Sequence, residues 1–361
     1  MSSVAHQPSS GPTQERAAAP PGASARARTV RRVWKSTRHL TPVIVFLVAI
    51  IVIFSLTSPY FFTQSNLVIL LTSNTALWVV AIGMTAVLIS GAVDLSAGAL
   101  VALLSILFAK LLDAHVPGGL ALVLAIVIGA VVGGVVNGLL IGRLRLSFLL
   151  VTLASSTAFT GLVNLWSDTK SIPVSSSVTD QIAFGHVLGM NTSILIMVGV
   201  LAVALFVQTR TYFGRDIFAV GGNPVAARLA GISSSRTTVA VFAISGAAAA
   251  VAAVVGIGRS SAASPTVDNT LPLQAIACVL LGGARISGGS GGVGGTVLGV
   301  LFLATLGNGL SLSGISSYWQ EIVTGVILVG AVLLNRLSGG SLPALFRNRR
   351  RLEPTIPSPD L

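Results

Sequence analysis

The residues best equipped for chemistry in this 361-residue chain stand in one short polar knot, Ser90-Gly91-Ala92-Val93-Asp94-Leu95-Ser96, set between two apolar runs. Asp94 is the only acidic residue between Glu15 and Asp113. A carboxyl group in such surroundings is costly unless it faces protein, water or a membrane surface. Gly91 and Gly98 let the backbone turn where a continuous helix would otherwise run on. The pattern reads as two membrane segments joined by a tight loop at or just inside the bilayer, with a function at the join. Three roles fit Asp94, and none excludes the others. It can cap the helix that begins at Leu95, since aspartate complements the positive end of a helix. It can pair with a basic residue such as Arg143 or Arg285. It can gate.

Other chemistry is sparse. The chain has no paired-carboxylate constellation, no HExxH, no GxSxG and no Walker A motif, so no catalytic residue is assigned. The four histidines, His6, His39, His115 and His186, lack metal-ligand spacing, and no metal site is expected. The single cysteine, Cys278, lies in an apolar run and reads as a small buried residue. A membrane enzyme needs ionisable groups converging inside the bundle, and Asp94 alone does not supply them. Ion-coupled carriers place carboxylates at mid-membrane. Here the energy for transport comes from elsewhere, or conduction is passive.

The elements that must hold these residues are membrane spans. The chain is 53% hydrophobic and 9% charged, against about 25% charged residues in soluble domains. Its 39 glycines suit close helix packing where no hydrophobic effect acts between spans. The expected fold is an all-α polytopic membrane protein of about ten helices with glycine-rich breaks. The spans fall near residues 40–56, 67–89, 95–112, 120–141, 148–166, 193–207, 239–257, 271–281, 293–312 and 319–334. The net charge of +12 sits in tails and loops. Positive-inside bias explains it better than nucleic acid, which is not expected as a partner. With both termini cytoplasmic, 19 of the 22 Lys and Arg fall on the inner side, all except Lys110, Lys170 and Arg259. Residues 1–38 read as a disordered basic cytoplasmic tail, 39–336 as the transmembrane domain and 337–361 as a basic cytoplasmic C-terminal tail.

Two local patterns stand out. Val87-Leu88-Ile89-Ser90-Gly91-Ala92, before Leu95-Ser96-Ala97-Gly98, is echoed by Val279-Leu280-Leu281-Gly282-Gly283-Ala284, before Ile286-Ser287-Gly288-Gly289. Six spans separate the two joins, so their orientation matches, as a parallel repeat requires. The second pattern lies in the cytoplasmic loop 209–236. Asn223 caps a short helix there, Pro224 takes its first position and Gly231 ends it, with Arg228 on the polar side. A short capped helix in a basic loop suits docking into a groove of a soluble partner, or serves as a plain connection.

At these residues a resemblance is plain. Residues 83–103 (GMTAVLISGAVDLSAGALVAL), 136–153, 214–232 (GRDIFAVGGNPVAARLAGI), 275–301 and 317–335 resemble, in consistent order over about 40–337, the permease subunits of bacterial ABC importers for monosaccharides of the ribose/xylose/galactoside type. The resemblance implies a multi-pass protein of the bacterial inner membrane. It has no cofactor of its own, because ATP is bound by partner subunits. It implies a cytoplasmic ATPase subunit, an extracytoplasmic sugar-binding protein and a second permease copy or sister permease as partners, all within the lipid bilayer. Gly221, Gly222, Asn223 and Pro224, with Ala227, Arg228, Leu229 and Gly231, would form the ATPase-coupling element. A neutral sugar needs hydroxyl partners and no counter-charge. Asn74, Ser90, Asn137 and Asn308 are candidates along its path, and each serves equally as an interhelical hydrogen bond. The glycine-rich joins, with Gly91, Asp94, Ser96 and Gly98 in the first and Gly282, Gly283 and Ser287 in the second, would line a gate. Gln274 stands where the family has an acidic residue, and Ser147 where it has proline. Other readings stay open: the same architecture for a nucleoside or branched-chain amino acid, and a stand-alone carrier or channel.

Overall fold

The computed structural model of the protein describes residues 40–187 and 189–338, with side chains to 333. The expected N-terminal tail and nearly all of the C-terminal tail lie outside the described residues. The helices are α1 (Thr41–Thr57), α2 (Gln64–Ser73), α3 (Thr75–Ile89), α4 (Ala97–Asp113), α5 (Gly118–Gly142), α6 (Phe148–Ser167), α7 (Ser177–Phe184) and α8 (Thr192–Arg210). They continue as α9 (Tyr212–Gly222), α10 (Pro224–Leu229), α11 (Ser234–Ser260), α12 (Thr270–Leu281), α13 (Val293–Leu312) and α14 (Ser317–Ser338). The expected all-α architecture is broken only by two-residue strands among the described residues. β1 (Ile172–Pro173) pairs antiparallel with β4 (Ala262–Ala263), and β2 (His186–Val187) with β3 (Met190–Asn191).

Among the described residues, α5, α6, α8, α11 and α13 are each long and apolar enough to cross a membrane. The expected span at 67–89 is a broken one: α2 and α3 meet at Asn74 with a 47° bend. At the bend the Asn74 side-chain amide donates to the Leu70 carbonyl at 2.8 Å, while its backbone N–H turns to the Thr72 carbonyl. The 12 residues of α12 reach only about 18 Å, short of the roughly 30 Å apolar layer. A non-helical segment, 261–269, precedes it. Leu150, Leu165, Phe206 and Val326 are 61–72% exposed on these helices. Apolar faces of this kind suit lipid or a neighbouring membrane helix.

The central post is α11, 27 residues long. One apolar cluster packs α3, α12 and α13 against Val241 and Phe242 of α11. A second packs α4, α5 and α6 against Ala249, Ala250 and Val254 of the same helix. The seam between α5 and α11 is glycine-lined and backbone-close. A Cβ on Gly129 would collide with the Gly246 carbonyl, one on Gly133 with that of Phe242, and one on Gly138 would lie 2.7 Å from the Val239 Cα. Gly133 and Gly138 are five residues apart, which would swing one of them off an ordinary α-helical face. A π-helical turn, Gly133–Leu139, absorbs the extra residue and keeps both on the seam. The polar loop expected at 168–191 contains α7, whose N-terminus is closed by a Ser176–Thr179 capping box.

Gly246→Leu is expected to destabilise the protein by about 1–3 kcal/mol through overpacking, read as a lower aggregation temperature in detergent. Gly256→Leu on the same helix, where nothing lies within 4 Å of an added Cβ, is expected to leave that temperature unchanged.

Candidate functional site

The chain leaves α3 by a tight turn and then reverses into the bundle. Ser90 ends the helix, Gly91 takes φ +86°, and the Ala92 N–H returns to the Val87 carbonyl at 3.2 Å. The second join repeats this turn bond for bond. Gly282 ends α12, Gly283 takes φ +85°, and the Ala284 N–H returns to the Val279 carbonyl at 3.2 Å. The sequence echo is therefore a shared helix-ending geometry, in which glycine supplies the left-handed conformation.

Beyond Gly91 the extended backbone carries Asp94 inward until it is 1% exposed. The Ser96 N–H and hydroxyl donate to Asp94 Oδ1 at 3.0 and 2.6 Å, and the Ser245 hydroxyl donates to Oδ2 at 2.7 Å. Asn137, in the π-helical turn of α5, donates from Nδ2 to the Ser96 oxygen at 2.8 Å. Ser155 of α6 donates to Asn137 Oδ1 at 2.6 Å. One buried network thus ties the join to α5, α6 and α11. Ser245 lies eleven residues into α11, about 16 Å from its start, so the carboxyl group is deep in the bundle.

Two of the expected roles change accordingly. Arg143 and Arg285 do not pair with Asp94; among the described residues hydroxyls and a backbone amide fill both of its oxygens. Nor is Asp94 the cap residue of α4, which starts at Ala97 with Ser96 before it. Its carboxyl group instead fixes Ser96 at the helix entrance. Gly98 abuts the Asp268 carbonyl and Pro272 at the start of α12. Asp268 is the group that closes that helix, accepting the Thr270 and Leu271 N–H groups at 2.8 and 3.1 Å.

At the join end of the bundle four segments meet. Ser90, Gly91, Arg145, Gly221, Pro224, Arg228 and Ser287 line one polar cavity of about 620 Å³. The closest approach is backbone on backbone. The Gly289 N–H donates to the Ile89 carbonyl at 2.8 Å. Gly221 presses into that bond, where a Cβ would collide with the Ile89 carbonyl and lie 2.7 Å from the Gly289 nitrogen. Gly222 packs against Gly289 in the same contact. From there the chain enters α10. Asn223 Oδ1 accepts the Val225 and Ala226 N–H groups, each at 3.0 Å. Gly231, at φ +83°, ends the turn as the Ile232 N–H returns to the Ala227 carbonyl at 2.9 Å. Ala227 is buried beneath the helix, while Leu229 is 87% and Val225 56% exposed. The loop reading of 209–236 missed α9, whose buried Gly214, Ile217 and Val220 recur at helical spacing.

The remaining expected path residues lie at the opposite end of α3, about 22 Å away along its 15 residues. Asn308 is engaged elsewhere: its amide exchanges two hydrogen bonds with that of Asn66, at 2.9 and 3.0 Å, clamping α13 to α2. Asn74 borders a second polar cavity, with Thr270, Gln274 and Glu321. Sequence reasoning also missed the buried hydroxyl pair Thr85–Thr296 at 2.7 Å, which ties α3 to α13. Among the described residues no group of His, Cys, Asp and Glu is placed to hold a metal.

Comparison with known proteins places the chain in a consistent group. A family profile described as "Branched-chain amino acid transport system / permease component" matches residues 66–332. The chain is 40% identical over 303 residues to the probable ABC transporter permease protein YphD of Escherichia coli strain K12, covering 83% of this chain and 91% of that one. It is 37% identical over 291 residues to the ribose import permease protein RbsC of Bacillus subtilis strain 168, covering 80% and 89%. It is 44% identical over 147 residues to the xylose transport system permease protein XylH of Escherichia coli strain K12, covering 41% and 37%. No solved structure matches.

Asp94→Leu would leave three buried donors without an acceptor, at about 1–3 kcal/mol each, and is expected to abolish accumulation of folded protein. Asp94→Asn keeps an acceptor for Ser96 and is expected to insert normally while solute uptake falls about tenfold. Uptake and accumulation are measured side by side, and equal loss of both in Asp94→Asn would assign the residue to folding alone.

Proposed function

This chain belongs to the family of permease components described for branched-chain amino acid transport systems, and within it we propose a membrane-spanning subunit that imports a monosaccharide, pentose or hexose, with separate ATP-binding subunits supplying the energy. The sugar assignment draws on relatives named for ribose and xylose. The ten-span arrangement, with both termini in the cytoplasm of a bacterial inner membrane, draws on the charge asymmetry. Among Lys and Arg of residues 40–333, Arg143, Arg145, Arg210, Arg215, Arg228, Arg236 and Arg285 belong to segments at the join end. Lys110, Lys170 and Arg259 belong to the other. The proposed assembly pairs this chain with a second permease and receives sugar from an extracytoplasmic binding protein.

The observation that carries the coupling is α10 and its root. A six-residue helix with both ends closed is a stiff lever, and it presents Val225, Arg228 and Leu229 outward. Exposed leucine beside arginine suits a groove on a soluble ATPase that is apolar in the middle and acidic at the rim. The root of the lever, Gly221, rests on the Ile89–Gly289 bond, which closes the two joins against each other. When the ATPases draw together and carry α10 with them, the displacement falls on that bond. Breaking it separates the end of α3 from the 282–292 loop and opens the cytoplasmic end. A hydrogen bond of this kind is worth only about 0.5–1.5 kcal/mol net, so nucleotide-driven motion can make and break it in each cycle. Alternating access then follows as a switch between two packed states.

The test is co-purification with the ATPase subunits of the source organism. Wild type is expected to retain the ATPase, and the combination of Arg228→Glu with Leu229→Asp to lose it while still inserted. A wild-type protein that holds no ATPase, and moves solute by itself in liposomes, would replace this reading with a stand-alone carrier. A complex that imports leucine and no sugar would favour the amino-acid reading in the family's description.

A further inference from the structure

The cavity bordered by Asn74 lies between α3, α12, α13 and α14, at the end of the bundle away from α10 and both joins. Its volume is about 250 Å³, below the roughly 300–1,000 Å³ of drug-sized ligand sites, which suits one sugar ring better than two. Buried Leu77 and Leu303 close it on the side of the joins.

The lining is rich in acceptors and carries no cation. The Asn74 amide donates to the Leu70 carbonyl at 2.8 Å, and Gln320 donates to the Ile315 carbonyl at 3.2 Å and to the Ser311 hydroxyl at 3.1 Å. A carbonyl only accepts, so these contacts fix which end of each amide is nitrogen. The Gln274 amide donates to Thr270 Oγ1 at 3.3 Å. Only the Gln320 nitrogen has both hydrogens engaged; Asn74 and Gln274 each keep one N–H beside the acceptors Asn74 Oδ1, Gln274 Oε1, Gln320 Oε1 and the Glu321 carboxylate. No Lys or Arg is among the residues lining this cavity. Clustered acceptors without a cation call for a neutral ligand that carries several hydroxyl donors. An amino acid would find a counter-charge for its ammonium in Glu321 but none for its carboxylate, which would have only neutral donors to meet.

We propose that this cavity is the site where the permease first receives a monosaccharide, with Asn74, Gln274, Gln320 and Glu321 accepting hydrogen bonds from its hydroxyls. The inference rests on the importer reading above. It gives Gln274 a reason to be neutral: the amide keeps an acceptor in the cavity without adding a second carboxylate beside Glu321.

The test uses the full importer, permease with its ATPase and sugar-binding protein, reconstituted in liposomes and offered ribose, xylose, galactose, glucose and leucine. For the sugar that wild type imports, Gln274→Leu and Glu321→Ala are expected to lower the maximal rate about tenfold at saturating loaded binding protein. The concentration of loaded binding protein giving half that rate is expected to stay within about twofold, because docking of the binding protein is untouched. A second measurement covers variants that fail to assemble. Thr324→Cys, on the cavity wall, is expected to react with an impermeant maleimide from the outer side, more slowly in the presence of the imported sugar. The native Cys278 is fully buried and supplies no background. Wild-type rates in both variants, or labelling that sugar does not slow, would overturn the cavity assignment while leaving the importer intact. A wild-type complex that imports leucine, or none of the sugars, would overturn the sugar-importer reading and this inference with it.

Discussion

A carboxyl group held deep in an apolar bundle is the constraint to which the surrounding helices answer. Asp94 cannot stay there unless both of its oxygens are met. The partners come from different elements: Ser96 from the helix entrance and Ser245 from the central post, with Asn137 and Ser155 completing the chain of hydrogen bonds. Each member fixes the next, so the join is located in depth and rotation by polar contacts in a chain that is 53% hydrophobic. Apolar surfaces slide over one another at small cost, whereas a buried donor that loses its acceptor does not. The network therefore gives α4, α5, α6 and α11 a common register.

Around that fixed region the packing is designed for closeness. Glycines bring α5 and α11 into backbone contact, and the π-helical turn in α5 serves two ends at once. It keeps the glycine seam aligned, and it turns Asn137 toward Ser96 and Ser155. The same economy recurs at the join end, where Gly221 reaches the Ile89–Gly289 bond. Side chains at these positions would hold α10 and its root away from the two joins.

The two ends of the bundle are chemically distinct. The join end gathers arginines, glycines with left-handed backbone and an exposed stiff helix. The far end holds amides and a carboxylate around a small cavity. Between them, Leu77, Leu303 and the Thr85–Thr296 pair fill the interior. Such separation suits the proposed division of labour, with the ATPase contact at one end, ligand reception at the other and close packing between.

Much was legible in the sequence because membranes impose simple rules. Apolar run lengths located the helices to within a few residues, for example at 293–312, since an apolar layer of about 30 Å admits few alternatives. The cap at Asn223, the proline after it and Gly231 marked α10, because helix ends follow local rules. The two glycine turns were visible as an echo for the same reason. What sequence could not decide was which residues meet. Asp94 appeared free to pair with Arg143 or Arg285, and only the tertiary path, turning back into the bundle after Gly91, set it against Ser245 151 residues away. Asn308 and Asn74 looked alike along the chain, yet one clamps α13 to α2 and the other borders a cavity. Spans and turns are governed by the bilayer and by neighbours along the backbone. Polar partners inside the bundle are chosen by helix rotation and depth, which depend on every packed contact at once.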